Sequence, residues 1–326
     1  MNVIEVEKLT KKYQGVVAVD GIDFAMQRGE IFGFLGPNGA GKTTTINLLT
    51  GLARISSGRV RIMGMDYSRG VKKVQHLMGV VPDESNLYEE MSGFDNLTFC
   101  AALFGMEKKR REERAGELLE LFGLAQTGAK PFKAYSKGMK RKLTIAAGLI
   151  HEPEILFLDE PTTGIDVASA RQIRRLIQEL NRKGTSIFLT THYMEEAERL
   201  CHRLAFIVGG RIIRMGNTEE LMQEAQGDHL VELNFEGKGD RIKQLKDMLP
   251  QIMGIELVNK NTARISSAAP IDLVSLMQVF KENGLALYEA RQIRPSLEEI
   301  FVSITGIEQV EQKSLQRESK GRGTGL

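Results

Sequence analysis

The sequence predicts an α/β domain, built on a mixed sheet that opens with antiparallel strands and carries a helical insertion, followed by a smaller α+β unit. Three observations predict it. The run Gly36-Pro37-Asn38-Gly39-Ala40-Gly41-Lys42-Thr43 lies between an apolar strand pattern and a helical one, where a phosphate-binding loop must sit. Two fully apolar runs, 155–158 and 187–189, alternate with helical patterns, the β-α-β rhythm of a buried parallel sheet. Near residue 226 the pattern restarts as β-α-β-β-α-β, the split ferredoxin-like order.

In chain order, residues 3–9 alternate apolar and polar side chains, a break falls near Gly15, and a second run passes through Ile22, Phe24 and Met26 before the strand 30–35. This is an antiparallel start. Residues 43–52 read as a helix, closed by polar and glycine residues at 56–58, and 59–63 return as a strand. Residues 92–124 are helical in pattern, within an insertion of about 85–150, and the mixed-sign run 107–114 is expected as a solvated helix face. A helix over 139–150 leads into strand 155–158; a helix at about 168–183 and a strand at 186–191 complete a first domain over 1–225. In the second, over 226–305, strands are expected at 229–236, 253–258, 262–267 and 285–291, and helices at 240–249 and 270–283. Ser296-Leu297-Glu298-Glu299 has capping-box spacing and starts a last helix to about 304, and the polar tail 306–326 is expected to be flexible.

With 326 residues, 42% hydrophobic and 26% charged, the chain has apolar matter for two soluble domains. A net charge of +2 gives no reason to expect nucleic acid as a direct partner. Apolar stretches such as 143–150 fall short of the roughly 18 residues that span a bilayer. The N-terminus lacks the basic-then-apolar layout of a secretory signal, so the chain is expected to stay in the cytoplasm. Cys100 and Cys201 have no second Cys or metal-spaced His nearby and are expected as free thiols.

The glycine run matches G-x-x-x-x-G-K-[ST]. In that pattern backbone N–H groups and a helix N-terminus wrap phosphates, Lys42 neutralises their charge, and Thr43 offers its hydroxyl to Mg²⁺. The apolar strand ending in Asp159-Glu160 puts carboxylates at a strand's C-terminal end. Asp159 is the expected metal-shell residue and Glu160 the expected general base for water, or alternatively a helix-capping acid. His192 follows another apolar strand and is expected to donate to a γ-phosphate, with an ordinary loop histidine as the other reading. Together these features predict a P-loop ATPase.

Jointly and in order, Pro37-Asn38-Gly39-Ala40, Ser136-Lys137-Gly138-Met139, Leu158-Asp159-Glu160-Pro161, Gly164-Ile165-Asp166 and Thr191-His192 resemble the successive motifs of the ATP-binding subunits of ABC transporters, over about residues 1–225. The resemblance implies ATP and Mg²⁺ as cofactors and adds Thr44 to the nucleotide contacts. It also implies that Ser136, Lys137 and Gly138 form a signature loop, a helix start that donates to the γ-phosphate held by the other subunit of a head-to-tail homodimer. Tyr13 resembles the family's adenine-stacking aromatic, and Asp166 the loop that communicates between sites. Each has a local alternative: Ser136 and Asp166 as helix N-caps, Tyr13 as a half-buried strand residue.

The chain departs from the pattern at two places. Val80-Val81-Pro82-Asp83 puts Asp83 where the family usually carries a glutamine that approaches Mg²⁺ and senses the membrane partner, which implies an altered metal dependence. Lys137 replaces a usual glycine. The C-terminal stretch 294–301 resembles the small domain appended to the drug and sodium exporter (ABC-2 type) branch. The expectation is therefore an ATPase subunit, bound to the cytoplasmic face of the membrane through a separate permease, that powers export. The alternative is a soluble ATPase of the same type switching a ribosomal or nucleic-acid partner. A ligand sensor in the second domain finds no cluster of ligand-type residues.

Overall fold

The computed structural model describes residues 1–67, 72–224, 229–237, 252–267, 269–293 and 297–305. The chain divides into two compact units, Met1–Thr218 and Glu219–Leu326.

In the first unit, β1 (Asn2–Tyr13), β2 (Val16–Gln27), β4 (Ser57–Ile62) and β5 (Met65–Asp66) form an antiparallel sheet in the order β2-β1-β4-β5. β1 runs four residues beyond the expected end at Leu9 because register shifts follow Val6, Leu9 and Lys11, and Lys8 takes φ 47°. Such bulges reset the alternation on which the sequence reading depends.

The second sheet joins β3 (Ile31–Leu35), β6 (Met78–Val81), β7 (Ile155–Asp159), β8 (Ser186–Thr191), β9 (Arg203–Val208) and β10 (Arg211–Asn217) in the order β10-β9-β3-β8-β7-β6. All its pairings are parallel except β10 with β9. Every residue of β3, β7 and β8 is buried, which is why these segments are nearly unbroken apolar runs. No expectation covered the β9–β10 hairpin; Gly209 and Gly210 turn it with φ of 56° and 79°, the conformation that short hairpin loops require. Phe24 from the antiparallel sheet packs on Phe32, Phe34 and Phe188 from the parallel one, with ring centroids 5.5, 5.4 and 5.9 Å away. The two sheets thereby share one core.

Helix α1 (Lys42–Thr50) follows the glycine run and α2 (Lys72–Gln75) precedes β6. α3 (Gly93–Leu103), α4 (Lys108–Leu121) and α5 (Lys137–Gly148) make up the insertion, and α6 (Val167–Arg182) and α7 (Met194–Leu200) flank β8. The charged face of α4 is solvated as expected, with Arg110 and Arg114 paired to Glu117.

After α8 (Thr218–Glu224), the second unit holds β11 (His229–Glu236), β12 (Ile252–Asn259), β13 (Thr262–Ser267), α9 (Leu273–Glu282), β14 (Ala286–Ile293) and α10 (Leu297–Thr305). Its antiparallel order is β12-β13-β11-β14. Val231, Leu233 and Phe235 alternate inward to meet Ala263, Ile265, Leu276 and Phe280. The four strands and the α9 helix overlap the residue ranges expected for strands and a helix there. The helix expected at 240–249, Ser296 and the tail 306–326 lie outside the described residues.

Candidate functional site

β3, β8 and β7 are neighbours, with Leu35 beside Thr191 and Thr190 beside Asp159 in register. The glycine loop, Asp159-Glu160 and His192 therefore leave the sheet at one edge, the carboxyl ends of parallel strands, where such sheets hold ligands.

The loop from Gly36 to Gly41 is clamped by the β9–β10 turn: Gly210 N donates to Ala40 O at 3.0 Å. Gly41 takes φ 105° and a Cβ there would stand 2.5 Å from Ala18 O, so both its conformation and its surroundings demand glycine. Gly36, Ala40 and Gly41 are buried, Pro37 is half-buried, and Asn38 and Gly39 are exposed. Thr43 is exposed and Thr44 half-buried in the first turn of α1, whose free N–H groups favour an anion.

Lys42, 6% exposed, lies back along the loop. Its Nζ donates to Gly36 O (2.7 Å) and Pro37 O (3.1 Å) and pairs with Glu160 Oε1 at 3.1 Å. The other Glu160 oxygen, Oε2, accepts from His192 Nδ1 at 2.8 Å and from Thr163 Oγ1 at 3.1 Å. Glu160 itself takes φ 48°, a left-handed conformation that non-glycine residues hold only where surrounding contacts over-determine it. Thr43 Oγ1 donates to Asp159 Oδ2 at 2.7 Å, and Thr190 Oγ1 donates to the other oxygen of Asp159. The structure thus joins Lys42, Thr43, Asp159, Glu160 and His192 into one hydrogen-bonded cluster.

Thr43 and Asp159 present hard oxygen donors side by side, a pair suited to Mg²⁺. Among the described residues no group of three or more His, Cys, Asp or Glu gathers for a metal. An ion at Thr43 and Asp159 would take most of its ligands from water and phosphate.

A second group assembles around α5. Ser136 caps it, accepting from Met139 N at 3.3 Å, with Lys137 exposed in the first turn. Asp166 caps α6, accepting from Ser169 N (2.9 Å) and Ser169 Oγ (2.7 Å), bonds that hold its carboxyl below the usual range. The two caps meet: a Cβ on Gly138 would lie 2.3 Å from Ser169 Oγ. The capping alternatives thus describe the local geometry of Ser136 and Asp166. Tyr13 ends β1, 49% exposed, with Lys11 Nζ 4.6 Å from its ring centroid. Asp83 follows β6 with an exposed side chain. Surrounding protein raises its carboxyl against the attraction of Arg141, and Asp159 and Glu160 nearby push the same way.

Sequence reasoning missed Arg141. In a Lys-Arg-Lys run it reads as solvated, yet it is 7% exposed. Its Nε donates to Pro161 O (3.0 Å), Nη1 to Pro82 O and Asp83 O (2.9 Å), and Nη2 to Asp159 O. One guanidinium thereby ties the insertion to the Asp83 loop and to the strand end carrying Asp159. Burial lowers its affinity for the proton. The signal available was periodicity: Arg141 lies three residues after buried Gly138 and four before buried Ile145, on the stripe that faces inward.

The family model described as ABC transporter matches residues 19–163. The chain is 37% identical to the daunorubicin resistance ATP-binding protein DrrA3 of Streptomyces coeruleorubidus, over 93% of this chain and 96% of that one. It is 36% identical to the Nod factor export ATP-binding protein I of Ralstonia nicotianae, over 94% of each. A solved ATP binding subunit of an ABC transporter superimposes with a TM-score of 0.62 at 29% identity, covering 68% of this chain and 93% of that one. Matches at this level over nearly the whole length, on a fold whose phosphate loop and strand-end carboxylates converge at one sheet edge, show that the chain belongs to the ABC transporter family as an ATP-binding subunit, an ATPase coupled to transport.

Proposed function

We propose that the chain hydrolyses MgATP in a head-to-tail dimer of itself and powers export through a separate membrane permease. The observation that carries the catalytic part is the single cluster in which Glu160 is held by Lys42 on one oxygen and by His192 on the other. Phosphate oxygens arriving in the glycine loop compete with Glu160 for Lys42, which releases Oε1 to accept a proton from water. The water oxygen bonds to the γ-phosphorus, the bond to the ADP oxygen breaks, and Glu160 takes the proton. A carboxylate only accepts, so His192 Nδ1 carries a hydrogen towards it; His192 then donates to the γ-phosphate from Nε2 as the imidazolium, or after letting go of Glu160. Thr43 and Asp159 would hold Mg²⁺, which would supply charge neutralisation, and the Asp83 carboxylate, whose charge is coupled to that of Asp159, would adjust it. Tyr13 supports adenine on its ring face. Ser136, Lys137 and Gly138, with Asp166 behind them, complete the partner's site across the dimer, since the Ser136 cap takes only Met139 N and the other first-turn N–H groups of α5 remain for an anion.

Export and permease rest on the relatives, which match nearly end to end and are export or drug-resistance ATP-binding proteins. Among the described residues no helix is long and apolar enough to cross a membrane, so spanning segments belong to another chain in this reading. A groove of about 600 Å³, lined by Leu52, Pro82, Glu84, Leu103 and Phe104 among others, flanks Asp83 and α3 and is the surface we assign to the permease. Glu160→Gln is expected to keep ATP binding and lose hydrolysis; undiminished turnover would sink the assignment of the base. Co-purification with a protein of about six membrane-spanning helices tests the transport half.

A further inference from the structure

One buried acid beside the site has no part in the reaction as described. Glu196, in the first turn of α7, is 1% exposed. Its Oε1 accepts from Thr162 Oγ1 at 2.7 Å, and the Thr191 hydroxyl is its other hydrogen-bonding neighbour. Thr162 lies two residues beyond Glu160, in the turn that Thr163 N closes onto Glu160 O at 3.2 Å. The other flank of Glu196 is Thr191, the residue before His192; Thr191 Oγ1 accepts from Tyr193 N at 3.0 Å. Burial raises the Glu196 carboxyl, outweighing the Thr191 and Thr162 hydroxyls and the more distant Arg174.

A buried carboxyl held by no more than the Thr162 and Thr191 hydroxyls is costly. An apolar side chain of similar size would pack here without that cost, so the polar group has to be explained by what it holds. What it holds is the turn after Glu160. Glu160 sits at φ 48°, and its side-chain direction depends on the backbone that follows. Thr162 is the point at which that turn is tied to α7, the helix that follows His192. We infer that Glu196 is a positioning residue for hydrolysis: by fixing Thr162 against the start of α7, it holds Glu160 in the left-handed conformation that aims its carboxylate between Lys42 and His192. The inference rests on the proposed role of Glu160 as base.

The test is steady-state ATPase kinetics and ATP affinity on the full chain. Glu196→Ala is expected to lower kcat about tenfold or more, the scale of a sub-ångström to ångström misplacement of a reacting group, with the Kd for ATP held within about twofold. Glu196→Gln keeps an oxygen for Thr162 and is expected to restore kcat to within about threefold of the parent. Thr162→Val removes only the hydroxyl and should match Glu196→Ala; it carries the test if the alanine variant does not fold. In the double variant the two losses should not multiply, because both break the same contact. An unchanged kcat in Glu196→Ala, equal damage from Glu196→Gln, a parallel loss of ATP affinity, or multiplying losses would each overturn the inference. If Glu160→Gln turns over normally, the base assignment has failed instead, which separates the two conclusions.

Discussion

Replacing Arg141 by methionine removes four donated hydrogen bonds at once and leaves an apolar chain of similar length. Two of the stranded acceptors, Asp159 O and Pro161 O, are in buried contacts, and two, Pro82 O and Asp83 O, are in partly buried ones that water can reach. An unsatisfied buried carbonyl costs about 1–3 kcal/mol, whereas a hydratable one loses only the net value of its bond, about 0.5–1.5 kcal/mol. Against this stands the returned desolvation of the guanidinium, whose proton affinity burial already lowers. The balance is a loss of about 4 kcal/mol. For a unit the size of Met1–Thr218, each kcal/mol moves Tm by about 2–4 °C, so a fall of about 8–16 °C is expected by calorimetry. Arg141→Lys keeps the charge but cannot reach four acceptors in a fixed fork, and it should recover less than half of the loss. A methionine variant within about 1 kcal/mol of the parent would refute the view that this guanidinium holds the insertion to the site.

Two further outcomes follow from single contacts. Asp83→Gln removes a carboxylate that Asp159 and Glu160 already oppose; the Mg²⁺ concentration giving half-maximal ATPase activity should shift, and an unchanged titration would refute a role for Asp83 at the ion. Gly33→Ala puts a methyl group 2.5 Å from the buried Cys201 Sγ, an overpacking expected to cost about 1–3 kcal/mol in urea denaturation. Cys201→Ala in the same chain should return most of it, and absence of rescue would show that the strain lies elsewhere.

The sequence by itself determined the identity of the cassette, because its chemistry is local. Gly36 to Thr43 must be contiguous for backbone N–H groups to wrap a phosphate, so spacing exposes that loop, while Asp159-Glu160 and His192, each after an apolar strand, stand out through the order of the motifs taken together. The buried parallel strands were legible for the same reason: burial on both faces leaves no polar positions to confuse the pattern. Only the tertiary structure decided what these residues touch. The alternation of the first strand breaks off at Leu9 because bulges reset its period, and the β9–β10 hairpin that clamps the loop carries no chemistry to announce it. Periodicity puts Arg141 on the inward stripe of α5 without naming its partners, and Glu196 looks like any charged residue on a surface helix until the fold turns it inward. Their partners are backbone carbonyls and threonine hydroxyls, groups found throughout the chain and distant in sequence. Pairing of that kind is set by packing geometry, which no local residue pattern encodes.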